Sequence, residues 1–399
     1  MKKGDLKKII SVGIILLFAG TCIIPAFAQD TDKLLPISRG NWLYVGGNGP
    51  GNYTKIQDAI NASSDGDKVF VYDDSSPYRE NLIVNKSIML IGEKRDTTII
   101  DGEKKDDVIR VTSDQVTITD FTIQNCSFEW SFYRPIAHCG INITSNNNTI
   151  KHNLLTNNFI GILFQRSSYN IIFENVFHKN YHPDSVAGSG LILYNFSHHN
   201  IVADNRFTNN EMACRIVCNS TNNHIIRNTF IENEFNIDLW LNCSNNIIAR
   251  NTIHNVSYEG IVISGCCNNT ICCNVLKMGR IKSVWSSNNV ISGNIVATII
   301  LPYSWENQIY RNIILGYNGI TAQSNRNNTW DDGKVGNYWG DYRDCFPYAI
   351  RSFPRFWIWN IPYQIFGIGN NVDRYPIVGT PLIVLQFIKE ILYQLGEGG

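Results

Sequence analysis

Apolar and polar residues alternate in short runs along most of the chain, and Asn punctuates the runs at a fixed spacing. The pattern Asn-x-Ile/Val-x-x-Asn occurs at 148–153, 170–175, 200–205, 223–228, 246–251, 269–274, 289–294 and 307–312. Two residues after each closing Asn stands an apolar residue, as at Leu155, Phe177, Phe207 and Phe230. Three residues before each opening Asn stands a small one, either Ser (Ser145, Ser167, Ser197, Ser220, Ser286, Ser304) or Cys (Cys243, Cys266). Upstream of that lies an alternating run such as Gly161-Ile162-Leu163-Phe164. Each unit therefore predicts three short strands of period two, separated by bends. The runs are too short and too β-branched for a helical repeat.

No single unit can bury its own apolar face, so the units must stack. The expected architecture is all-β: a right-handed, single-stranded parallel β-helix. About ten coils at about 4.8 Å each would give a rod roughly 50 Å long. One wide interval between closing Asn residues, from Asn175 to Asn205, places an insertion near 178–190. Residues 80–125 read as less regular coils of the same kind.

The expected divisions are a signal at 1–28, an N-terminal cap at 29–79, repeats at 80–329, an aromatic C-terminal cap at 330–380 and a tail at 381–399. Within the first cap, 54–62 reads as an amphipathic helix. Thr54 would be its N-cap, and Ile56, Ala59 and Ile60 would share its buried face. The apolar stretch at 382–395 is too short to span a bilayer.

Composition adds compartment and excludes one partner class. The chain has 399 residues, with 34 basic and 34 acidic. A zero formal charge argues against a nucleic-acid binder. Lys2, Lys3, Lys7 and Lys8 precede an apolar run over 9–24, and Ala26-Phe27-Ala28 forms an A-x-A site. That is a secretory signal, either cleaved or retained as an anchor. Removing Cys22 with it leaves ten of eleven Cys, an even number suited to an oxidising compartment. Cys243 and Cys266 share a column on adjacent coils, so either a ladder disulfide or Cys standing in for Ser as small filler is expected there. Cys214 with Cys218 and Cys126 with Cys139 are further candidate pairs.

The unit Gly-Ile-x-x-x…Asn-Asn-x-Ile-x-x-Asn resembles the repeat of NosD-type proteins and of the wider carbohydrate-binding/sugar-hydrolase β-helix group. The opening Tyr53-Thr54-Lys55-Ile56-Gln57-Asp58-Ala59-Ile60 and the closing motifs Gly336-Asn337-Tyr338-Trp339-Gly340-Asp341-Tyr342 and Asn371-Val372-Asp373-Arg374-Tyr375-Pro376-Ile377 are similar to the same family. The resemblance covers most of 40–380 and implies a fold that hosts many activities. The interval from Arg343 to Trp359 departs from it, lacking the oxygen ligands that calcium needs.

Candidate chemistry falls into four groups. The column just before each closing Asn should face solvent, and it places Glu174 and Asp204 on adjacent coils. Paired carboxylates at that spacing would suit a polysaccharide hydrolase. His178, His182, His198 and His199 surround the insertion and could hold copper or zinc, and the NosD resemblance itself implies copper. Trp240 and Trp285, with Tyr194 and Tyr303 nearby, offer rings for sugar stacking, and Arg227 and Arg250 offer donors to hydroxyls. Trp357 and Trp359 in the far cap are a further aromatic pair. The favoured expectation is an exported or cell-surface protein that is non-catalytic, binding polysaccharide or cell-envelope glycan or serving as an envelope scaffold, with no resident cofactor. A polysaccharide hydrolase or lyase and a copper-accessory protein are the alternatives.

Overall fold

The computed structural model describes residues 40–379, apart from 129–137, 182–187, 255–258, 317–321, 356 and 370. The signal, His182 and the C-terminal tail lie outside the described residues. Three sheets of 12, 11 and 11 strands, here A, B and C, share one core. The chain visits them once per coil: Thr149–Lys151 lies in A, Leu154–Thr156 in B and Ile160–Gln165 in C, before Ile171–Phe173 returns to A. Each strand pairs in parallel with its counterpart one coil on, as Ile150 with Ile172 and Leu155 with Phe177. This is the right-handed parallel β-helix that the pattern predicts. Twelve strands in sheet A set a length of about 55 Å. Stacking begins upstream of the regular repeat, where Trp42–Val45 pairs with Lys68–Val71.

The repeated Asn residues form buried ladders at the corners. At the A–B corner Asn153, Asn175, Asn205, Asn228, Asn251, Asn274, Asn294, Asn312 and Asn337 are stacked in line. The backbone N–H and Nδ2 of each donate to Oδ1 of the next. Nδ2 also donates to a main-chain carbonyl in the preceding coil, as Asn228 does to Val202 at 2.8 Å. Asn148 begins an equivalent ladder at the C–A corner. A third ladder runs through Asn158, Asn180, Asn210 and Asn233 at the B–C corner. A buried amide that uses both its oxygen and its nitrogen is fully satisfied, which is why Asn can occupy these interior positions.

The residue before each A–B ladder Asn, other than Asn337, is left-handed. At the A–B corner φ is 54° at Glu174, 56° at Asp204, 55° at Arg227 and 57° at Arg250. This conformation turns the chain sharply and leaves the side chain outside. Inside, Phe177, Phe207 and Phe230 stack coil on coil, with ring centroids 4.5 and 4.8 Å apart. Gly190 sits over this stack. A Cβ there would lie 2.6 Å from the Ala213 carbonyl oxygen and 3.0 Å from Phe207.

Both ends are closed by residues remote in sequence. The first helix spans Ile56–Ala62 and buries Ile56, Ala59 and Ile60 as expected, but Thr54 does not cap it. The Glu80 carboxylate does so instead, accepting from the Ile56 and Gln57 N–H groups at 2.8 and 3.0 Å. Two main-chain donors and the positive helix end satisfy a charge better than one hydroxyl would.

At the far end Asp373 terminates the A–B ladder. Its Oδ2 accepts from the Asn337 N–H at 2.7 Å and from Trp339 Nε1 at 2.8 Å, and its Oδ1 from the Tyr375 N–H at 3.0 Å. Burial pushes this carboxyl up to about 7, although its donors pull the other way. The ordinary value is about 3.9. The folded chain therefore holds the proton more tightly than the unfolded one. The resulting stabilisation is complete below about pH 4 and is lost as pH rises through about 7. Tryptophan-fluorescence melts of the wild type are expected to fall between pH 5 and 8. Asp373→Asn should be less stable throughout but should lack that slope, so an unchanged slope in the variant would refute the assignment.

Candidate functional site

The left-handed column at the A–B corner carries charge, but not a pair of free acids. Glu174 and Asp204 are both exposed there on successive coils. His152 Nε2 binds the Glu174 carboxylate. Arg227 grips Asp204 in a fork at 2.8 and 2.6 Å. Each acid pairs with a basic side chain of a neighbouring coil rather than with the other acid, as in a ladder of surface pairs. Glu232 occupies the B–C corner (φ 55°), away from both. The two acids thus stand on successive coils as expected, each engaged by a basic partner.

The histidines are also dispersed. His178 ends the sheet B strand Val176–His178, with Nδ1 2.9 Å from Thr208 Oγ1. His198 lies at the C–A corner and accepts from the Thr221 N–H at 3.1 Å. His199 stacks flat on Tyr169 at 5.0 Å. Burial lowers the pKa of both His178 and His198. The structure therefore separates His178 from His198 and His199 by a whole sheet, and their rings are engaged elsewhere. Among the described residues one group has metal-ligating spacing, Asp106, Asp107 and His138. Arg110 already contacts both carboxylates there, at 3.3 and 3.0 Å. Burial would raise Asp107, but hydrogen bonds from His138, Asn142, the Cys139 N–H and Arg110 hold it well below the usual range. That carboxylate is satisfied by the protein itself.

Cys243 and Cys266 occupy the small-residue column as expected, but both are free thiols. Each fills the place of a serine hydroxyl: Cys243 Sγ donates to the Trp240 carbonyl at 3.2 Å, and Cys266 Sγ to that of Ser264 at 3.2 Å. The expected ladder disulfide is absent in this structure. Cys126, Cys139, Cys214 and Cys218 are free as well.

A different surface gathers the aromatic residues. Tyr169, Phe196, Trp240, Trp285, Tyr303 and Trp305 are all exposed, and all lie along the C–A corner, in a row that passes over the coils of Cys218 and Gly265. Trp285 stacks on Tyr303 with centroids 6.1 Å apart. Trp240 ends the sheet C strand Phe235–Trp240 and is in register with Val217 and Ser264. Two residues before it on the same outward face, Asp238 accepts from Arg215 Nε at 3.3 Å. Burial raises the Asp238 pKa against the pull of Arg215. Glu259, on the next coil, binds Arg280 and Lys282. The corner is thus a ridge of rings beside a strip of paired charges.

Trp240, Trp285 and Tyr303 were legible as one surface, but Arg227 and Arg250 are not part of it: they stand across sheet A at the A–B corner. Tyr169, Phe196, Trp305, Arg215, Asp238 and Lys282 were not singled out from sequence. In the far cap, Trp330 and Trp339 are buried, and Trp359 packs beneath the Arg343 guanidinium, 4.1 Å from its ring. Trp357 remains partly exposed.

The fold and this corner define the class: a right-handed parallel β-helix with a corner of exposed rings. A family model described as NosD, periplasmic copper-binding protein, matches residues 60–240. That segment is NosD-like in sequence, and it lies within the right-handed parallel β-helix. The chain is also 34% identical over 100 residues to a probable pectinesterase/pectinesterase inhibitor 6 from Arabidopsis thaliana, a match covering 23% of this chain and 18% of that protein. Among solved structures it resembles a GH136 lacto-N-biosidase from Eubacterium ramulus, with TM-score 0.54 and 11% identity, over 75% of this chain and 67% of that one. The catalytic domain of a GH87 α-1,3-glucanase aligns with TM-score 0.49 and 11% identity, over 84% and 70%. Likeness at such identity concerns the fold alone. Among the described residues no helix is long and apolar enough to cross a membrane.

Proposed function

We propose that this protein is an exported, non-catalytic β-helix that holds an extended glycan along its C–A corner. The observation that carries this reading is the confinement of six exposed aromatic rings to that one corner. Scattered exposed rings need no explanation, but exposed rings collected along one corner mark an interaction surface. Rings spaced by coils of about 4.8 Å suit a linear polymer whose own units repeat at a similar scale. Apolar sugar faces stack on rings, while the neighbouring Arg215, Asp238 and Lys282 supply donors and acceptors for hydroxyls. A catalytic reading lacks support at the A–B corner, where each acid is already paired with a basic side chain.

Affinity electrophoresis through gels containing soluble polysaccharides tests the proposal. The full chain is expected to be retarded by at least one neutral glycan. The double substitution Trp285→Ala with Tyr303→Ala should abolish the retardation while the melting temperature stays close to wild type. Wild-type migration unaffected by every glycan would refute the reading.

A further inference from the structure

The strands of sheet A are apolar on both sides. Ile171-Ile172-Phe173, Ile201-Val202-Ala203 and Ile247-Ile248-Ala249 are continuous apolar runs, the pattern of parallel strands covered on both faces. Their central residues, Ile172, Val202 and Ile248, are fully buried in the core. The flanking residues point outward in two columns fixed by strand register. One holds Ile171, Ile201, His224 and Ile247, and the other Phe173, Ala203, Ile226 and Ala249. Ile171, Phe173, Ile201, Ile226 and Ile247 remain half-buried there, each with its outer side open. Over the six coils from Ile171–Phe173 to Val290–Ser292, no outward position holds Asp, Glu, Lys or Arg. Burial lowers the pKa of His224, which favours its uncharged form. From Thr119 to Ile313 the connection from A to B is two residues in every coil, as at Glu174-Asn175, so no loop overhangs that edge.

The A–B corner beside this face is polarised along the rod. Asp120, Glu174 and Asp204 occupy its upstream coils, and Arg227, Arg250 and Arg311 its downstream ones. The sign changes between the Asp204 and Arg227 coils.

We propose that the outer face of sheet A is the interface of a homodimer, in which two copies pack sheet A on sheet A with their rods antiparallel. The twofold axis runs along the strands, between the Asp204 and Arg227 coils. This rotation sets each A–B corner over that of the other copy and reverses the order of the coils. Asp204 of one copy then lies opposite Arg227 of the other, and Glu174 opposite Arg250. A twofold along the rod would instead set the charged corner against the C–A corner, where Asn222, Asn245, Asn268 and Asn288 offer no matching charge. Matched charges at an exposed edge add little affinity, but mismatched ones are costly, so the pairs fix the register. The apolar columns supply the driving force. Ten coils, from Met89 to Gln308, overlap about that axis, five on either side. A face ten coils long and five residues wide covers about 800 Å² per copy, the size of a standard stable interface. The proposal goes beyond the glycan-binding reading and does not depend on it.

Sedimentation equilibrium of the full chain in reducing buffer tests the interface. The wild type should be dimeric at about 50 µM. Ile226→Glu places a charge at the centre of the apolar face and should weaken dimerisation at least about tenfold. Glu174→Arg and Arg250→Glu should each weaken it at least about fivefold, because like charges then meet across the twofold. These two surface variants serve if Ile226→Glu melts abnormally. The double variant, Glu174→Arg with Arg250→Glu, should return to within about threefold of wild type. In one chain the two residues are three coils apart, about 14 Å, so their mutual rescue must arise between copies. A wild type that is monomeric at that concentration would overturn the proposal, and its flotation with phosphatidylcholine vesicles would give the face to a lipid surface instead. A dimer untouched by Ile226→Glu, or a double variant no tighter than the single ones, would overturn it equally.

Discussion

Replacing Asn228 with Ala should cost about 3–5 kcal/mol of stability, whereas replacing its neighbour Arg227 should cost under about 1 kcal/mol. The two residues are adjacent in sequence and face opposite ways. The Asn228 oxygen accepts from the Asn205 N–H at 2.9 Å and from Asn205 Nδ2 at 3.0 Å. Its nitrogen donates to the Val202 carbonyl at 2.8 Å and to Asn251 Oδ1 at 3.1 Å. Alanine removes all four bonds and leaves the Asn205 N–H buried without an acceptor. A stranded buried donor costs about 1–3 kcal/mol by itself. Water cannot repair the loss, because the site lies inside the stack. Asn228→Asp should be worse than alanine: the new oxygen would face the Val202 carbonyl and Asn251 Oδ1, acceptor against acceptor, and would carry a buried charge. Arg227 loses only its exposed fork to Asp204. Denaturation midpoints would show the contrast, and hydrogen exchange at the Asn205 amide would localise it. Retained protection of that amide in Asn228→Ala would contradict the ladder.

This ladder is also why so much of the fold could be read from the chain. A residue that bonds its own counterpart on every coil must recur at every coil, so the interior corner writes a period into the sequence. The same logic explains what was missed. The third ladder, at Asn158, Asn180, Asn210 and Asn233, follows the A–B ladder by the same five residues but ends after four coils. The left-handed positions of the A–B corner carry no residue signature. His152, Glu174, Asp204, Arg227 and Arg250 all adopt that conformation with their side chains outside, where side-chain identity is free. Pairing of Glu174 with His152, and of Asp204 with Arg227, therefore could not be separated from a catalytic arrangement by spacing alone.

The outward face of sheet C was hidden for a different reason. The turn from sheet C to the small-residue column changes length between coils. Leu241 and Asn242 lie between Trp240 and Cys243, but Gly265 alone lies between Ser264 and Cys266. One residue more or less reverses which side chains face out when the strand is counted back from the ladder. Asp238 and Lys282 thus fell out of frame, although both lie in one outward column through Val262. The same change of turn length sets small Gly265 between bulky neighbours, so the irregularity that obscured the site also shapes it.

Phe207→Ala should cost about 3–5 kcal/mol, comparable to loss of a ladder amide but by a different mechanism. The ring is fully buried and is sandwiched between Phe177 at 4.5 Å and Phe230 at 4.8 Å. Its removal opens a cavity lined by two aromatic faces and by Gly190. The walls cannot close on it, because the coil spacing is fixed by hydrogen bonding in three sheets at once. Collapse is what moderates such losses elsewhere, so this site should fall toward the upper part of the range. A paired change tests that reasoning. Gly190→Ala in the wild type should be destabilising, because the new methyl would press on Phe207 and on the Ala213 carbonyl oxygen. In the Phe207→Ala background one of those two clashes vanishes, and the methyl instead occupies part of the cavity. The two substitutions should therefore partly compensate, with the double variant more stable than the sum of the single losses predicts. Strict additivity in denaturation midpoints would mean that the coil does relax around the missing ring, and that the corner does not hold Gly190 as rigidly as the hydrogen bonding implies.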